Sequence, residues 1–195
     1  MKRKIVFATN NSHKLHEIRR IIGDKIDILS LADIDCHEEL PETSDTIAGN
    51  ARQKARYVKE HYGYDCFADD TGLCVEALGG APGIYTARYA GDNHDSEANM
   101  NLLLKNLEGK DDRRAYFLTV IALAEGDEIR IFEGRVDGMI AREKSGMGGF
   151  GYDPVFIPEN ETVTFAEMDE DDKNSISHRG RATAKLLDYI GVENK

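Results

Sequence analysis

The chain has 195 residues, of which 41% are hydrophobic and 31% are charged, and its formal net charge at pH 7 is −11. This length and apolar content suffice for one sizeable core, and no repeat is visible, so we expect a single domain over residues 1–195. The acidic balance opposes non-specific attraction to nucleic acids and anionic membranes, and we expect neither as a partner.

The three cysteines predict a protein of a reducing compartment. Cys36, Cys66 and Cys74 are an odd number and lack C-x-x-C spacing, which argues against a disulfide framework and a zinc site. We interpret them as small buried apolar side chains. The chain starts with Met1 to Lys4 and a strand-sized apolar run, which is not typical of a signal peptide, and no stretch is long enough for a membrane span. We therefore predict a cytoplasmic protein.

The first third of the chain alternates between strand and helix patterns. Lys4–Thr9 is typical of a buried strand, and Lys14–Ile22 has apolar residues at helical spacing. Ile26–Leu31 predicts a second strand. Thr46–Tyr62 predicts a second helix with a narrow stripe of small apolar residues, which suits close packing on a sheet.

The connection between the first strand and the first helix is a candidate anion site. A strand that turns directly into a helix presents free backbone N–H groups and the positive end of the helix dipole. Lys14 is unfavourable in a first helical turn, which indicates an anionic partner. An ordinary N-cap remains an alternative for this connection. The candidate phosphate ligands are Thr9, Asn10, Asn11, Ser12, His13 and Lys14.

Two adjacent carboxylates, Asp69 and Asp70, follow a short apolar run and precede Thr71 and Gly72. Two neighbouring carboxylates repel each other and resist burial unless a cation compensates them. Oxygen ligands of this type favour Mg²⁺, which takes the rest of its shell from water and substrate phosphates. A solvated turn that caps a helix is the alternative interpretation.

The second half of the chain predicts one helix and a hairpin. Asp95 or Ser96 opens a helix that runs to about Leu107, and Arg114–Ala124 and Ile129–Gly138 form the clearest strands. Before them, a Gly-rich and Pro-containing path leads to Tyr85, Arg88 and Tyr89. That aromatic and cationic cluster is a candidate binding lip or dimer surface.

The last part of the chain contains a segment in which aromatic residues alternate with glycines, followed by basic residues. In the segment 146–156, Phe150 or Tyr152 could stack on a nucleotide base, whereas a bulged strand with core aromatics is the alternative. Further on, Lys173 precedes the final helix, for which Ser177 is a good N-cap. His178 and Arg179 would then lie at the start of a helix, where cations need an electron-rich partner.

These motifs, in this order, resemble the Ham1/ITPase family of Mg²⁺-dependent pyrophosphatases that act on non-standard purine nucleoside triphosphates. The resemblance covers nearly the whole chain. It implies an α/β protein with the ITPase-like (Maf/Ham1) fold, in which an elongated mixed β-sheet is flanked by helices and two lobes surround a central cleft. The matching stretches are Ala8–Lys14, Glu42-Thr43, Asn50-Ala51, Lys54-Ala55, Ala68–Leu73, Gly79–Tyr85, Gly149–Pro154 and Ser177–Gly180.

The resemblance also implies an activity and the residues that carry it. XTP, ITP and dITP would be cleaved between the α and β phosphates, giving the monophosphate and pyrophosphate, by a homodimer that uses Mg²⁺. Asp70 would accept a proton, and Glu42, Asp69 and Asp70 would serve the metal. Substrate binding falls to Thr9, Asn10, Asn11, Ser12, His13, Lys14 and Thr71 for the phosphates and to Phe150, Gly151, Tyr152, Asp153, Lys173, His178 and Arg179 around the base.

Some positions depart from the family pattern and leave alternatives open. Gly49 stands where many relatives have a Glu, so one outer carboxylate of the metal region is missing, and His13 stands where Gly is frequent. Thr71 replaces a common Ser and keeps the hydroxyl. One alternative is a pyrophosphatase for pyrimidine or modified nucleotides, as in the related Maf proteins. A second is a nucleotide-binding regulatory protein that has lost catalysis.

Overall fold

The computed structural model describes residues 3–191. Within this range, seven strands form one sheet, and helices flank it. The strands are β1 (Lys4–Phe7), β2 (Asp27–Leu29), β3 (Cys66–Val75), β4 (Pro82–Gly83), β5 (Arg114–Glu125), β6 (Glu128–Ile140) and β7 (Phe156–Pro158). The α-helices are α1 (Ser12–Ile22), α2 (Ile47–Tyr62), α3 (Ser96–Asn106), α4 (Glu170–Ile176) and α5 (His178–Tyr189).

The sheet is mixed, as predicted. Its strand order is β2-β1-β3-β5-β6-β7, and β4 pairs with β3 outside this path. β1 is parallel to both β2 and β3, whereas β3 is antiparallel to β4 and β6 is antiparallel to β7. The long apolar strand β5 lies between β3 and β6 in the interior of the sheet. This position suits a strand whose side chains are buried on both faces of the sheet.

The chain divides into two compact units. The first contains residues 3–70, 119–134 and 179–191 of the described range, and the second contains residues 71–118 and 135–178. Each unit has its own apolar cluster. In the first, Ile5, Phe7, Ile18, Phe67 and Leu186 are among the buried members, and in the second they include Leu73, Leu103, Phe117, Ile140 and Phe156. The assignment of residues 1–195 to one domain stays a prediction.

Most of the predicted elements are present, with ends that differ by a few residues. Helix α2 begins at Ile47 with Thr46 as its N-cap, and helix α3 begins at Ser96 with Asp95 as its N-cap. The predicted hairpin is formed by β5 and β6, which are neighbours in the sheet. Cys36 and Cys66 are buried free thiols, as expected, and Cys74 is partly buried.

Two local features differ from the sequence patterns. The alternative interpretation of Asp69-Asp70 as a solvated turn is excluded, because the pair lies inside β3, which continues to Val75. In addition, the acidic stretch before Lys173 forms helix α4, for which no pattern gave a prediction. Its first turn contains Glu170, Asp171 and Asp172, and negative charges there interact favourably with the helix dipole.

No helix within residues 3–191 combines the length and the apolar composition that a membrane span requires.

Neighbouring residues of β6 should respond very differently to truncation. Ile140 is 1% exposed within the core of the second unit, whereas Met139 is 52% exposed. We expect Ile140→Ala to lower the free energy of unfolding by about 2–5 kcal/mol, because it removes buried methylenes and leaves a cavity. Met139→Ala should cost less than about 1 kcal/mol. Urea denaturation of both variants measures this, and equal losses would contradict the assigned strand register.

Candidate active site

Asp69 is the centre of a buried group of charges in the first unit. Its Oδ1 accepts a hydrogen bond from Lys14 Nζ at 3.0 Å, and its Oδ2 accepts one from Arg179 Nε at 3.1 Å. Nη1 of Arg179 also donates to Glu17 Oε2 at 2.5 Å. The side chain of Asp69 is fully buried, and that of Arg179 is 2% exposed. The carboxylate of Asp69 therefore exchanges its hydration for two cationic donors.

The charges around Asp69 fix its protonation state. Burial by itself would raise the pKa of Asp69, but Lys14, Arg179 and Lys54 outweigh burial and hold the pKa well below its usual range. Burial also lowers the pKa of Lys14, which Asp69 partly opposes. Asp69 is thus an anion across the physiological range of pH.

The neighbouring carboxylate, Asp70, has a different environment. Its Oδ2 accepts a hydrogen bond from Asn50 Nδ2 at 3.3 Å, and its Oδ1 lies 3.9 Å from Lys54 Nζ. Burial raises the pKa of Asp70, Lys54 and Lys14 oppose this, and Glu42 adds to the rise. The two adjacent aspartates therefore have pKa values displaced in opposite directions.

Lys54 joins Asp70 to Glu42. Its ammonium group donates to Glu42 Oε1, and the lysine side chain is 6% exposed. Burial would lower the pKa of Lys54, but Asp70 and Glu42 raise it above its ordinary value. For Glu42, burial would raise the pKa, but Lys54 and Lys14 together outweigh it and lower the pKa below its ordinary value. Helix α2 thus holds a cation between two carboxylates.

The donor set partly fits the predicted metal. Among residues 3–191, no group of three or more His, Cys, Asp or Glu side chains has the arrangement of a metal site. Asp70 and Glu42 share one cation, and both are carboxylates of the type that Mg²⁺ prefers. Asp69 differs from them, because each of its two oxygens already accepts a hydrogen bond from a cation.

The predicted phosphate turn contains a helix cap. Asn11 is the N-cap of α1, and its Oδ1 accepts from the backbone N–H groups of His13 and Lys14 at 3.0 and 3.1 Å. Thr9 Oγ1 accepts from the backbone N–H of Asn11 at 3.2 Å. Asn10, Asn11, Ser12 and His13 are exposed residues, and the side-chain amide of Asn10 donates to the Glu38 carbonyl at 3.3 Å. Helix α1 begins at Ser12, two residues earlier than predicted.

Polar contacts hold the segment around Glu42 to helix α2. Gln53 accepts from the backbone N–H of Thr43 at 2.9 Å and donates to its hydroxyl at 2.8 Å. Four residues before Glu42, Glu38 accepts a hydrogen bond from the Tyr62 hydroxyl at 2.6 Å. The hydrogen bond from Tyr62 is the main cause that lowers the pKa of Glu38 to about 2. These contacts determine where Glu42 lies relative to α2.

In the second unit, Asp153 organises the Gly-rich segment. Its Oδ2 accepts from the backbone N–H of Phe150 at 2.7 Å and from Lys173 Nζ at 2.6 Å. Gly149 has a φ of +70°, and a Cβ there would lie 2.0 Å from this same oxygen, so only glycine fits. Lys173 Nζ lies 5.1 Å from the centroid of the Phe150 ring. Phe150, Asp153 and Lys173 therefore form one cluster.

The remaining residues assigned to substrate binding lie in the second unit and differ in their surroundings. Tyr152 is 4% exposed, belongs to the core of the second unit and donates its hydroxyl to the Thr86 carbonyl at 2.9 Å. His178 stacks on the Phe117 ring with a centroid distance of 4.6 Å. Gly151 has a φ of +64°, which suits glycine, and Thr71 is half-buried in β3. Tyr152 is thus buried as a core aromatic, and Phe150 is the more accessible ring.

The structure accounts for Gly49, where the resemblance led us to expect a carboxylate. A Cβ at this position would lie 1.8 Å from Ser44 Oγ and 2.7 Å from Thr46 Oγ1. Ser44 is held there because its backbone N–H donates to Asn50 Oδ1 at 2.9 Å. The segment that precedes α2 therefore occupies the volume that a side chain at 49 would need.

The sequence patterns did not single out Glu17 or assign a role to Lys54. Both are buried charged residues on helices whose buried faces are otherwise mostly apolar. Glu17 follows Lys14 by three residues, and residues three apart lie on one face of a helix. That spacing was the signal available for Glu17.

The chain is an α/β protein whose charged clusters combine paired carboxylates with buried cations. Such groups are typical of enzymes that hydrolyse phosphate esters or phosphate anhydrides. The Ham1 family profile matches residues 5–189, and the chain belongs to this family. The predicted ITPase-like fold is thereby confirmed.

Individual relatives support this membership. A protein of Porphyromonas gingivalis named dITP/XTP pyrophosphatase is 54% identical over 188 residues, which are 96% of this chain and 97% of the relative. The solved structure of the Staphylococcus aureus Ham1 protein has a TM-score of 0.88 and 38% identity and covers 98% of this chain and 100% of its own. A HAM1 protein from Coxiella burnetii also gives a TM-score of 0.88 at 38% identity, with coverages of 96% and 98%.

The crowding at position 49 predicts an unusual response to alanine. In a helix, Gly→Ala normally stabilises by about 1 kcal/mol. Here we expect Gly49→Ala to lower the free energy of unfolding by about 1–3 kcal/mol, because the new Cβ would overlap Ser44. The same substitution should cost less in a Ser44→Gly background, where the overlapping side chain is absent. Urea denaturation of the four proteins measures both effects, and a Gly49→Ala variant as stable as the parent would contradict this packing.

Proposed function

We propose that this chain is a Mg²⁺-dependent nucleoside triphosphate pyrophosphatase that hydrolyses XTP, ITP and dITP to the monophosphate and pyrophosphate. Its role is to remove non-standard purine nucleotides from the nucleotide pool. The name of the Porphyromonas gingivalis relative, dITP/XTP pyrophosphatase, supports this class of substrate. The main support for the proposed mechanism is that the pKa of Asp69 is lowered and the pKa of Asp70 is raised.

This displacement divides the work between the two aspartates. Two titratable groups whose environments push their pKa values apart are typical of an acid or base and its charged partner. Asp70, with its raised pKa, is the proton acceptor, because a base works best when its pKa approaches the working pH. Asp69 stays ionised and holds Lys14 and Arg179 in place.

Hydrolysis then uses groups of this chain in defined roles. Asp70 accepts the proton of a water whose oxygen attacks the α phosphorus, while the bond from that phosphorus to the bridging oxygen breaks and pyrophosphate leaves. Asn50 and Lys54 orient Asp70 through contacts at 3.3 and 3.9 Å. Lys14 neutralises charge on the phosphates. Mg²⁺, held by Glu42 and Asp70, would supply further charge neutralisation and activate the water.

Phosphate contacts fall to the turn before α1. We assign them to Thr9, Asn10, Asn11, Ser12, His13 and Lys14, together with the hydroxyl of Thr71. The exposed amide and hydroxyl side chains of this turn support the assignment, because such groups donate readily to phosphate oxygens. The cap made by Asn11 keeps the backbone of the turn in one conformation.

Base selectivity falls to the cluster of the second unit. Phe150 is the proposed stacking ring, and the Gly-rich segment around Gly151 and Asp153 gives it a fixed backbone. Lys173 and His178 are the proposed donors to the 6-oxo group of hypoxanthine or xanthine. Adenine presents an amino donor at this position and would leave such donors unpaired, which can cost several powers of ten in specificity. The resemblance places Arg179 at the base as well, and its contacts to Asp69 and Glu17 support a further role in the orientation of Asp69.

Three further properties belong to the same proposal. We expect a homodimer, for which Tyr85 is a candidate contact, because it is 54% exposed and Arg88 lies 5.5 Å from its ring centroid. We expect no binding to nucleic acids or membranes, since the net charge is −11. The expected location is the cytoplasm. Light scattering measures the assembly. We expect a mass twice that of one chain, and we expect Tyr85→Ala to weaken the association of the two chains. A monomeric parent protein would contradict the proposed homodimer.

The substrate class is tested by pyrophosphate release from ITP, XTP, dITP, ATP, GTP and dTTP at equal concentration, with Mg²⁺ and after its removal with EDTA. Fast release from ITP, XTP and dITP, slow release from ATP and GTP, and loss of release in EDTA are expected. Release from dTTP alone would favour a pyrimidine pyrophosphatase. Nucleotide binding without release would favour a regulatory protein.

The role of Asp70 is tested by Asp70→Asn, which keeps the size of the side chain and removes its basicity. We expect kcat for ITP to fall by a factor of about 10² or more at saturating Mg²⁺, because a positioned base contributes roughly 10²–10⁴. Asp127→Asn, in the exposed loop between β5 and β6, is the matched control and should keep its activity. An Asp70→Asn variant with undiminished kcat would refute the assignment of the base.

A further inference from the structure

Glu17 is a buried acid that the proposed mechanism does not yet use. It lies on α1, it is 8% exposed, and its neighbours on the buried face of the helix are Ile18 and Ile22. A buried carboxylate is costly unless a cation and hydrogen bonds compensate it. Its cation is Arg179, through the contact of Nη1 with Oε2 at 2.5 Å.

The contact of Glu17 extends a row of alternating charges. The row runs from Lys14 to Asp69, then to Arg179 and then to Glu17. Both of its ends belong to α1, where Glu17 follows Lys14 by three residues and so lies on the same face of the helix. The row joins α1, β3 and α5 within the first unit, and its members Asp69 and Arg179 are almost completely buried.

The geometry of Arg179 shows what Glu17 contributes. A guanidinium group is planar and presents its donors in a rigid fork, so two carboxylates on different edges fix its orientation. Glu17 occupies one edge and Asp69 the other. With Glu17 removed, the guanidinium would lose its carboxylate acceptor on one edge and would be less firmly held against rotation about the contact with Asp69. Rotation would alter the position of Asp69 and, through it, of Lys14.

We propose that Glu17 is a positioning residue for the pyrophosphatase reaction, which acts through Arg179 to hold Asp69 and Lys14 in their reactive arrangement. This inference rests on the proposed function. The loss of Glu17 removes one negative charge, which does not weaken the attraction of phosphates. Lys14 is also only one of the proposed phosphate contacts, because the rest of its turn and Thr71 provide the others. The defect should therefore fall mainly on kcat and change KM little.

The test compares Glu17→Gln, Glu17→Asp and a control, Glu60→Gln, which removes an exposed carboxylate from α2. For Glu17→Gln we expect kcat for ITP to fall at least tenfold with KM changed less than threefold, since small misplacements of catalytic groups cost factors of this order. Glu17→Asp keeps the charge but shortens the side chain by one methylene, so kcat should recover in part and stay more than threefold below that of the parent. Glu60→Gln should stay within twofold of the parent.

The proposal would be overturned if kcat of Glu17→Gln fell by less than tenfold, or if the control variant Glu60→Gln showed the same decrease. If Glu17→Gln fails to fold, Glu17→Asp carries the test, because it moves the carboxylate by one methylene and keeps the charge. In that case a kcat within threefold of the parent overturns the proposal, and a larger loss at unchanged KM supports it.

A second measurement separates this inference from the proposed function. In ¹⁵N-labelled protein, the Nε–H signal of Arg179 can be assigned by its loss in Arg179→Lys, and its hydrogen exchange should become at least tenfold faster in Glu17→Gln than in Glu60→Gln. If the parent protein releases no pyrophosphate from any triphosphate, the proposed function fails. The contact is then judged by exchange alone, and unchanged exchange would overturn it.

Discussion

The interaction on which the first unit depends is the pairing of the buried carboxylate of Asp69 with Lys14 and Arg179. An uncompensated charge in a dry interior costs several kcal/mol, so Asp69 can remain ionised in β3 only if both cations reach it. One cation comes from α1 and the other from α5. The requirement therefore constrains the positions of both helices against the strand, beyond what apolar packing by Ile18 and Leu186 demands.

Much of the fold could be predicted from local patterns, and the exceptions have physical causes. Helices α2 and α3 and the strands β5 and β6 have strong periodicity and clear ends, and they lie where the sequence predicts them. The continuation of β3 through Asp69 and Gly72 was not predictable in this way, because turn-forming residues were held in a strand by pairing with distant strands. Helix α4 is short and acidic, so it lacks an apolar stripe by which a pattern could identify it.

The candidate site was predictable in its members more than in their roles. The motifs pointed to Lys14, Asp69, Asp70 and Lys173, and these residues do lie in two charged clusters, one in each unit. The sequence could not show that Arg179 faces Asp69, because that contact joins residues 110 positions apart. For the same reason it gave no partner for Glu17, which resembled an ordinary polar residue of an amphipathic helix.

The contrast between Asp69 and Asp70 explains why two adjacent acids occur in a buried strand. Successive side chains of a strand point to opposite faces, so neighbouring residues can have unlike surroundings in spite of their proximity. Asp69 meets two cations and becomes a fixed anion, whereas Asp70 meets Asn50 at 3.3 Å and Lys54 only at 3.9 Å. The fixed charge of Asp69 also adds to the rise in the pKa of Asp70. In the proposed mechanism, this contribution of Asp69 prepares Asp70 for accepting a proton, so the proposed role of each carboxylate depends on the other.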